Sequence, residues 1–238
     1  MNTLVNERKF TAHGLDADRA LALIAHYCSP HPEYPLGRIS SIYFDTPLLS
    51  TFREKIEGDT LKRKYRIRWY EEADPAPDST TQAFLEIKYR YGSARDKLRR
   101  RFPVNAEWIR STPLTDPGLV DLLYREAAAC EDSIPLNLFP LVCISYDRHR
   151  YVCPFTGDTV CVDFNIRMTR LNPDRLPHVG PFDLNTVICE HKRAGFGTLP
   201  WARVLYHAGF RIRSFSKYGE CINQILHAGA PTVIRMSI

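Results

Sequence analysis

The sequence predicts an α+β fold, with an antiparallel sheet that curves around a charged interior and helices that pack on its outside. Three observations support this prediction. Eight strand-like runs are separated by turn residues, the longest runs alternate cationic with apolar side chains, and four amphipathic segments need an apolar surface to cover. No internal linker interrupts the pattern, so we interpret residues 1–238 as a single domain.

The strand-like runs are rich in β-branched and aromatic residues. They are 4–11, 38–45, 61–71, 83–91, 95–104, 141–152, 158–168 and 186–193. The helical segments carry apolar stripes, and they are 16–28, 117–130, 200–208 and 217–228. Asp16 and Ser216 precede the first and the last of these, and both residue types cap helices by accepting a hydrogen bond from the free N–H groups of the first turn.

The run 61–71 shows the clearest division into two faces. Lysine or arginine occupies every second position from Lys62 to Arg68, and apolar residues such as Trp69 lie on the other face. The pattern alone allows a one-sided sheet whose cations face solvent. Two facts favour cations that point inward: the helices need the apolar face, and the charged faces are about two to one cationic, whereas a solvated face usually mixes both signs. Such an interior would need a polyanion and water to fill it.

Composition favours a globular protein with an anionic partner. The net charge is only +5, but lysine and arginine cluster in 62–68, 88–101, 148–150 and 211–217. The seven cysteines include no CxxC pair, which indicates free thiols in a reducing compartment, by default the cytoplasm, and disfavours structural zinc. No apolar stretch reaches the ~18 residues of a transmembrane helix, so we expect no membrane span, and cooperation with a separate membrane protein stays open.

Eight short motifs resemble, in the same order, those of the VTC domain, the polyphosphate polymerase domain. They are ERKF (7–10), SIYFDTP (41–47), KYRIRWY (64–70), FLEIKYR (84–90), KLRR (97–100), SYDRHRY (145–151), VICEHKR (187–193) and SFSKYGECI (214–222). The resemblance covers about residues 5 to 225. That domain belongs to the CYTH-like triphosphate tunnel metalloenzymes, which implies an antiparallel β-tunnel, a closed barrel of about eight strands, with helices outside.

The resemblance further implies transfer of the terminal phosphoryl group of ATP to a growing inorganic polyphosphate chain, with Mn²⁺ or Mg²⁺ as cofactor. The residues matching the catalytic cations are Arg66, Arg68, Lys88, Lys97 and Arg148. The expected further phosphate-binding residues are Lys9, Lys64, Arg99, Lys192 and Lys217. Glu190 matches the metal-binding glutamate, and Glu7 and Glu86 are secondary candidates because carboxylates among cations are costly unless they pair or bind a metal.

Plainer structural roles are available for several of these residues. Glu190 would form an internal ion pair with Lys192, Lys9 would pair with Glu7, and Lys217 would be an ordinary residue of a helix start. One position departs from the family pattern, because Thr159 stands where an arginine is usual, and Arg167 is a candidate to compensate. Asp45 is interpreted as a turn former, and only weakly as catalytic.

Three functions stay open at this point. The first is the polymerase, with ATP and polyphosphate as ligands, and the second is a hydrolase of triphosphate or nucleoside triphosphate, which often carries ExExK where this chain has only ERK at 7–9. The third is a non-catalytic polyphosphate-binding module. Nucleic acid is not expected, because Tyr65 and Trp69 lie on the face opposite the cations and cannot stack with bases there.

Overall fold

The computed structural model describes residues 5–72, 76, 78–92, 94–130, 133–194, 197 and 199–228. Its strands are β1 (Val5–His13), β2 (Ser29–Pro30), β3 (Leu36–Asp45), β4 (Leu61–Glu71), β5 (Thr80–Tyr91), β6 (Ala94–Asn105), β7 (Phe139–Val152), β8 (Thr159–Leu171), β9 (Phe182–Asp183), β10 (Thr186–Ala194) and β11 (Arg211–Ile212). Its helices are α1 (Ala17–Tyr27), α2 (Ser50–Ile56), α3 (Ala106–Ser111), α4 (Pro117–Ala128), α5 (Ala202–His207) and α6 (Lys217–Ala228).

The strands form one antiparallel sheet in the order β11-β1-β10-β8-β7-β3-β4-β5-β6, with β2 attached to β7 and β9 to β8. The α+β prediction is therefore confirmed, and every predicted strand and helix occurs with its ends within three residues of the expected ones. The two-residue strands and the short helices α2 and α3 were not predicted, because so few residues carry no measurable periodicity.

The predicted closure of the barrel is not confirmed. The pairings follow an open path, and within the described ranges no ladder joins β6 to β1 or β11. The sheet nevertheless curls strongly, since Lys9 on β1 and Lys64 on β4 reach adjacent residues: Lys9 Nζ lies 3.4 Å from the carbonyl oxygen of Phe215, and Lys64 Nζ lies 2.7 Å from Ser216 Oγ. Four strands separate β1 from β4 in the sheet, so this proximity requires a deeply concave face.

Two apolar clusters cover the outer, convex face. Helices α3 and α4 pack Ile109 and Leu122 against the apolar sides of β4 and β5, which include Trp69 and Leu85. Helices α1 and α5 cover β1, β8 and β10 in a second cluster. These helices lie outside the sheet as expected, and burying their apolar stripes there leaves the alternate side chains of each strand for the concave face.

Helix α6 departs from this arrangement, because it packs on the concave side. Its residues Tyr218, Ile222 and Ile225 are buried against Ile144 on β7 and its neighbours. Ile144 points to the same side as Arg148, four positions further along the strand. The concave face is therefore apolar at one end, where α6 covers it, and charged beyond that end; the expectation that all helices lie outside is wrong for α6.

Candidate functional site

The paired arginines of β4, Arg66 and Arg68, point to the concave face. Tyr65, Ile67 and Trp69 are at most 2 % exposed and belong to the convex cluster under α3 and α4. Because side chains alternate along a strand, Arg66 and Arg68 lie on the opposite side, where they contact groups from β3, β5 and β7. The inward orientation that we predict from the helices and from the excess of cations is the one observed.

One group of cations surrounds Glu86 on β5, which is only 1 % exposed. Arg66 Nε donates to Glu86 Oε2 at 2.7 Å, and Lys97 Nζ donates to Oε1 at 2.7 Å. Arg68 and Arg99 lie 3.6 and 3.5 Å from the two oxygens. Burial alone would raise the pKa of Glu86, but Arg66, Arg68 and Lys97 lower it far below its usual value. Glu86 is therefore a fixed anion that holds four cations together.

Two tyrosines orient the paired arginines of β4. The hydroxyl oxygen of Tyr43 on β3 accepts a hydrogen bond from Arg66 Nη1 at 3.1 Å, and that of Tyr146 on β7 accepts one from Arg68 Nη2 at 3.0 Å. Each guanidinium is therefore held by the tyrosine on one side and is near Glu86 on the other. Such fixed planar donors suit phosphate oxygens, because little rotational freedom remains to be lost on binding.

A second group of charges surrounds Asp163 on β8, which is fully buried. Arg148 on β7 makes a bidentate contact with it: Nε donates to Oδ1 at 2.5 Å, and Nη2 donates to Oδ2 at 2.6 Å. Lys217 Nζ lies 2.5 Å from Oδ2. Arg148 Nη2 also donates to Glu190 on β10 at 3.2 Å. Burial would raise the pKa of Asp163, but Arg148 and Lys217 lower it, so this carboxylate stays ionised.

Sequence reasoning did not assign a role to Asp163. The available signal was its position on the polar side of the alternating run 158–168, on the same face as Cys161. What the pattern could not show was the partner, since Lys217 is 54 positions away along the chain. Asp163 orients two of the predicted phosphate-binding cations at once.

The remaining carboxylates, Glu7 and Glu190, meet at Lys9. Its Nζ lies 3.2 Å from Glu7 and 3.1 Å from Glu190. The expected pair of Lys9 with Glu7 is therefore present, whereas the alternative pair of Glu190 with Lys192 is not among the ion pairs of the described residues. Burial opposes ionisation of Glu190, but Lys9 and Arg148 keep its pKa well below the usual value.

Three predicted cations, Lys64, Lys88 and Lys192, take no part in an ion pair within the described ranges. Lys88 on β5 is exposed to the solvent of the concave side. The charge of Arg66, together with burial of the surroundings, lowers the pKa of Lys88 well below its usual value, with Glu86 opposing the shift. An anion placed beside Lys88 would therefore relieve repulsion that Glu86 and Glu190 compensate only in part.

Lys64 on β4 is also close to other positive charges, and its side chain reaches the start of α6. Burial, followed by the charges of Lys9, Lys55 and Arg66, lowers the pKa of Lys64 to about 7. Its Nζ donates to Ser216 Oγ at 2.7 Å, and the same oxygen accepts from the backbone N–H of Gly219 at 3.2 Å, as in a helix cap. The cap predicted for this helix is confirmed.

Taken together, the concave face presents an excess of positive charge. The cations are Lys9, Lys64, Arg66, Arg68, Lys88, Lys97, Arg99, Arg148, Lys192 and Lys217. The carboxylates are Glu7, Glu86, Asp163 and Glu190. The surplus of cations matches a ligand with several negative charges distributed along its length.

Asp45, which the sequence analysis interprets as a turn former, lies near this face. Asp45 is fully buried, and its side chain accepts hydrogen bonds from Thr51, from the backbone of Phe52 and from the hydroxyl of Tyr218 at 2.7 Å. It therefore tethers α2 and α6 to the end of β3, in line with the structural role expected of it.

Arg167 does not compensate for Thr159. A register irregularity near Asn165, whose φ is 49°, places Ile166 on the concave side under α6. Arg167 consequently points the other way, where it lies 3.5 Å from Asp183 and is 48 % exposed. The cation missing at Thr159 is not replaced by this arginine.

The donor set allows a divalent cation at Glu190 and Glu7. No group of three or more histidine, cysteine or acidic side chains suited to a metal occurs among the described residues. Mg²⁺ is commonly held by one or two carboxylates plus substrate phosphates, and two hard oxygen donors near a phosphate-binding surface fit that pattern. Glu86 fits less well, because four cations already surround it.

The family model of the VTC domain matches residues 5–226. The chain belongs to the VTC domain family. No curated protein matches this VTC domain. Solved structures with a similar course of the chain include a proposed adenylate cyclase from Vibrio parahaemolyticus (10% identity, 93% of this chain and 97% of that chain, TM-score 0.42). Another is a proposed adenylate cyclase from Bacillus halodurans (14% identity, 96% of this chain and 93% of that chain, TM-score 0.41). In the described part of this VTC domain, no helix is long and apolar enough to cross a membrane.

Proposed function

We propose that this VTC domain is a polyphosphate polymerase, which transfers the terminal phosphoryl group of ATP to an inorganic polyphosphate chain bound on the concave face. The observation that carries the proposal is the convergence of ten basic side chains from six strands and α6 on one concave surface, seven of them paired with four ionised carboxylates. Phosphoryl transfer requires positioning and charge neutralisation more than covalent help, and this surface supplies both.

The cations divide into two kinds by their contacts. Arg66, Arg68 and Arg148 are buried and fixed by carboxylates and tyrosines, so they suit the reacting phosphoryl group, where geometry matters most. Lys88 and Lys192 have no ion-pair partner in the described part of the chain, and they suit the phosphates of a chain that must move after each addition. Lys217 is fixed by Asp163 in the same way as Arg148, whereas Lys97 and Arg99 have a carboxylate partner but are 40 % and 41 % exposed and are therefore intermediate.

Glu190 and Glu7 would hold Mn²⁺ or Mg²⁺ together with phosphate oxygens of the substrate. Such an ion supplies charge neutralisation at the transferring phosphoryl group. Lys9 lies between the same two carboxylates at 3.2 and 3.1 Å, so in this proposal it would be displaced toward the phosphates when a divalent ion binds.

We further propose that the protein acts in the cytoplasm, and that a separate membrane protein exports the product.

The test is incubation of the purified protein with ATP and Mn²⁺, followed by assay of acid-insoluble phosphate chains. Arg66→Ala and Lys88→Ala are expected to abolish chain synthesis, because each removes a concave-face cation. Arg19→Ala, on the exposed side of α1, is the matched control and is expected to keep full activity. Thermal melting of all three variants would verify that they fold.

Two other results would replace the proposal. Release of inorganic phosphate without chains would assign the surface to triphosphate or nucleoside triphosphate hydrolysis, in which water is the acceptor. Tight binding of polyphosphate with neither product would assign it to a non-catalytic binding module. The buried, ionised Glu190, with Glu7 beside it, favours the enzymatic functions, because a simple anion-binding surface has no need for carboxylates that weaken its field.

A further inference from the structure

The concave side of the sheet carries two arginines outside the predicted site, Arg101 on β6 and Arg150 on β7. Arg101 lies opposite Phe84 in its ladder, and Phe84 lies opposite Arg68, so these three side chains share one face of the sheet. Arg150 lies two positions beyond Arg148 and therefore points to the same side as that residue. Among the ion pairs of the described residues, neither arginine has a carboxylate partner.

Both arginines lie toward the far end of the concave face, meaning the end opposite α6. On β7, helix α6 covers Ile144, and Arg150 lies six positions further, about 20 Å along the strand. On β4, Lys64 reaches the start of α6, and Arg68 lies four positions further, about 13 Å along the strand. Arg101 belongs to the same row across the sheet as Arg68.

Two aromatic rings join the two sides of this end. The guanidinium of Arg150 lies over Tyr70, 5.6 Å from the ring centre, and Tyr70 meets Phe84 edge to face at 6.1 Å. Arg99 lies over Phe84 at 3.9 Å from its centre. A ring face holds a guanidinium in place without neutralising it, so the positive charge stays available to an anion. We call this surface the arginine–aromatic strip; it consists of Arg150, Tyr70, Phe84, Arg99 and Arg101.

The strip is accessible, and its two unpaired arginines contact neutral acceptors. Arg101 Nε donates to Gln82 Oε1 at 2.8 Å, and Arg150 Nη1 donates to the backbone carbonyl of Tyr34 at 3.2 Å. A guanidinium has five N–H donors, so one such contact orients it and does not saturate it. Arg101 is exposed, Arg150 is half-buried and Tyr70 is 36 % exposed. An anion in the solvent of the concave side can therefore reach the strip.

We propose that the arginine–aromatic strip binds the part of a linear polyphosphate chain that extends beyond the reacting phosphates. The proposal rests on the function proposed above, since it assumes that the end of the chain lies among the buried arginines. Guanidinium groups suit successive phosphates, because they donate in a fixed plane and stay charged. A short anion such as tripolyphosphate is held by the buried cations alone, so the strip makes the protein select long chains.

The test compares the affinity for tripolyphosphate with that for a fractionated polyphosphate of several tens of phosphates, by calorimetric titration of the whole chain without ATP. The double variant Arg101→Gln/Arg150→Gln removes two charges and keeps polar side chains. It is expected to weaken long-chain binding by about ten-fold, about three-fold for each arginine, and tripolyphosphate binding by no more than about two-fold. Long-chain binding should also depend less steeply on salt, because fewer phosphates are neutralised.

Arg100→Gln is the matched control. Arg100 is the neighbour of Arg101 on β6, but its side chain lies on the opposite face, where it pairs with Glu126 at 2.9 Å. This variant should keep both affinities. Each single variant, Arg101→Gln and Arg150→Gln, is measured as well, and thermal melting verifies that all the variants fold.

Three results would overturn the proposal. They are an unchanged affinity for long chains, a loss of the same size for tripolyphosphate, which would place the arginines among the groups that hold the reacting phosphates, and a ten-fold loss of ATP affinity, which would assign the aromatic rings to the base of the nucleotide. The proposed polymerase can fail separately. Length-dependent binding that needs both arginines, without any chain synthesis from ATP, would support the strip and refute the polymerase alone.

Discussion

Substitution of Glu86 by glutamine tests whether this carboxylate holds the cations of the concave face together. The change keeps the volume of the side chain and removes its charge. It leaves Arg66 and Arg68, which are 9 % and 8 % exposed, without the anion that compensates them. Removing one partner of a buried ion pair costs about 3–5 kcal/mol, which for a domain of this size corresponds to a fall in Tm of about 6–20 °C.

The matched control is Glu220→Gln, which removes a carboxylate that is 38 % exposed and lies 3.5 Å from Lys55. An exposed pair of this kind contributes about 0.2–1 kcal/mol, so its Tm should fall by no more than about 4 °C. Differential scanning calorimetry without metal gives both values. Tripolyphosphate should recover part of the loss in Glu86→Gln, because it supplies negative charge to the same arginines.

The pH dependence of stability provides a second measurement of the interaction between Glu86 and its arginines. Because the pKa of Glu86 is lower in the folded state than in the unfolded state, its contribution is present at neutral pH and decreases as the pH falls below the unfolded value of about 4.5. Glu86→Gln should therefore flatten the acid side of the stability curve. An unchanged Tm in the absence of metal, combined with a lower affinity for Mn²⁺, would refute this reasoning and make Glu86 a metal ligand.

Further predictions concern other residues of the concave face. Asp163→Asn should lower chain synthesis by about ten-fold or more, since Arg148 and Lys217 lose their common anchor, and a rate that matches the unmodified protein would contradict this role. Polyphosphate affinity should weaken as the pH rises through about 7, where Lys64 loses its proton near Glu7, Lys9, Lys55 and Arg66. Calorimetric titration at pH 6 and pH 8 checks this, and Lys64→Met should remove the difference; an equal dependence in both proteins would assign it to another group.

The strands could be predicted from the two-residue period, and the inward direction of their charges from that period together with the helices, which need the apolar face to cover. Arg66 and Arg68 alternate with residues that must be buried, so they lie on the face opposite the one that the helices cover. The same reasoning identified the polar face of β8 as far as Asp163. The prediction that Arg167 compensates for Thr159 was wrong. The register irregularity near Asn165 turns the following residues to the opposite face of the sheet, and the alternation of polar and apolar residues in the sequence does not show it.

The partners of the charged residues could not be predicted from sequence patterns. Contacts such as Lys64 with Ser216 or Lys217 with Asp163 join residues far apart in the chain, and they depend on how strongly the sheet curls. The position of α6 was missed for a related reason. Its apolar stripe shows that it must be covered, but only the three-dimensional course of β7 shows that the apolar partner, Ile144, lies on the same side as Arg148.

Helix α6 gives the concave face a direction. Along β7 the covered Ile144 is followed on the same side by Tyr146 and then by Arg148, so the surface changes from apolar to charged within about 13 Å at the usual rise of a strand. In the function proposed above, a long linear anion would therefore bind beyond the end of the concave face that α6 covers. In that arrangement each new phosphate would be added at the chain terminus beside α6, and the finished part of the chain would leave on the side away from this helix.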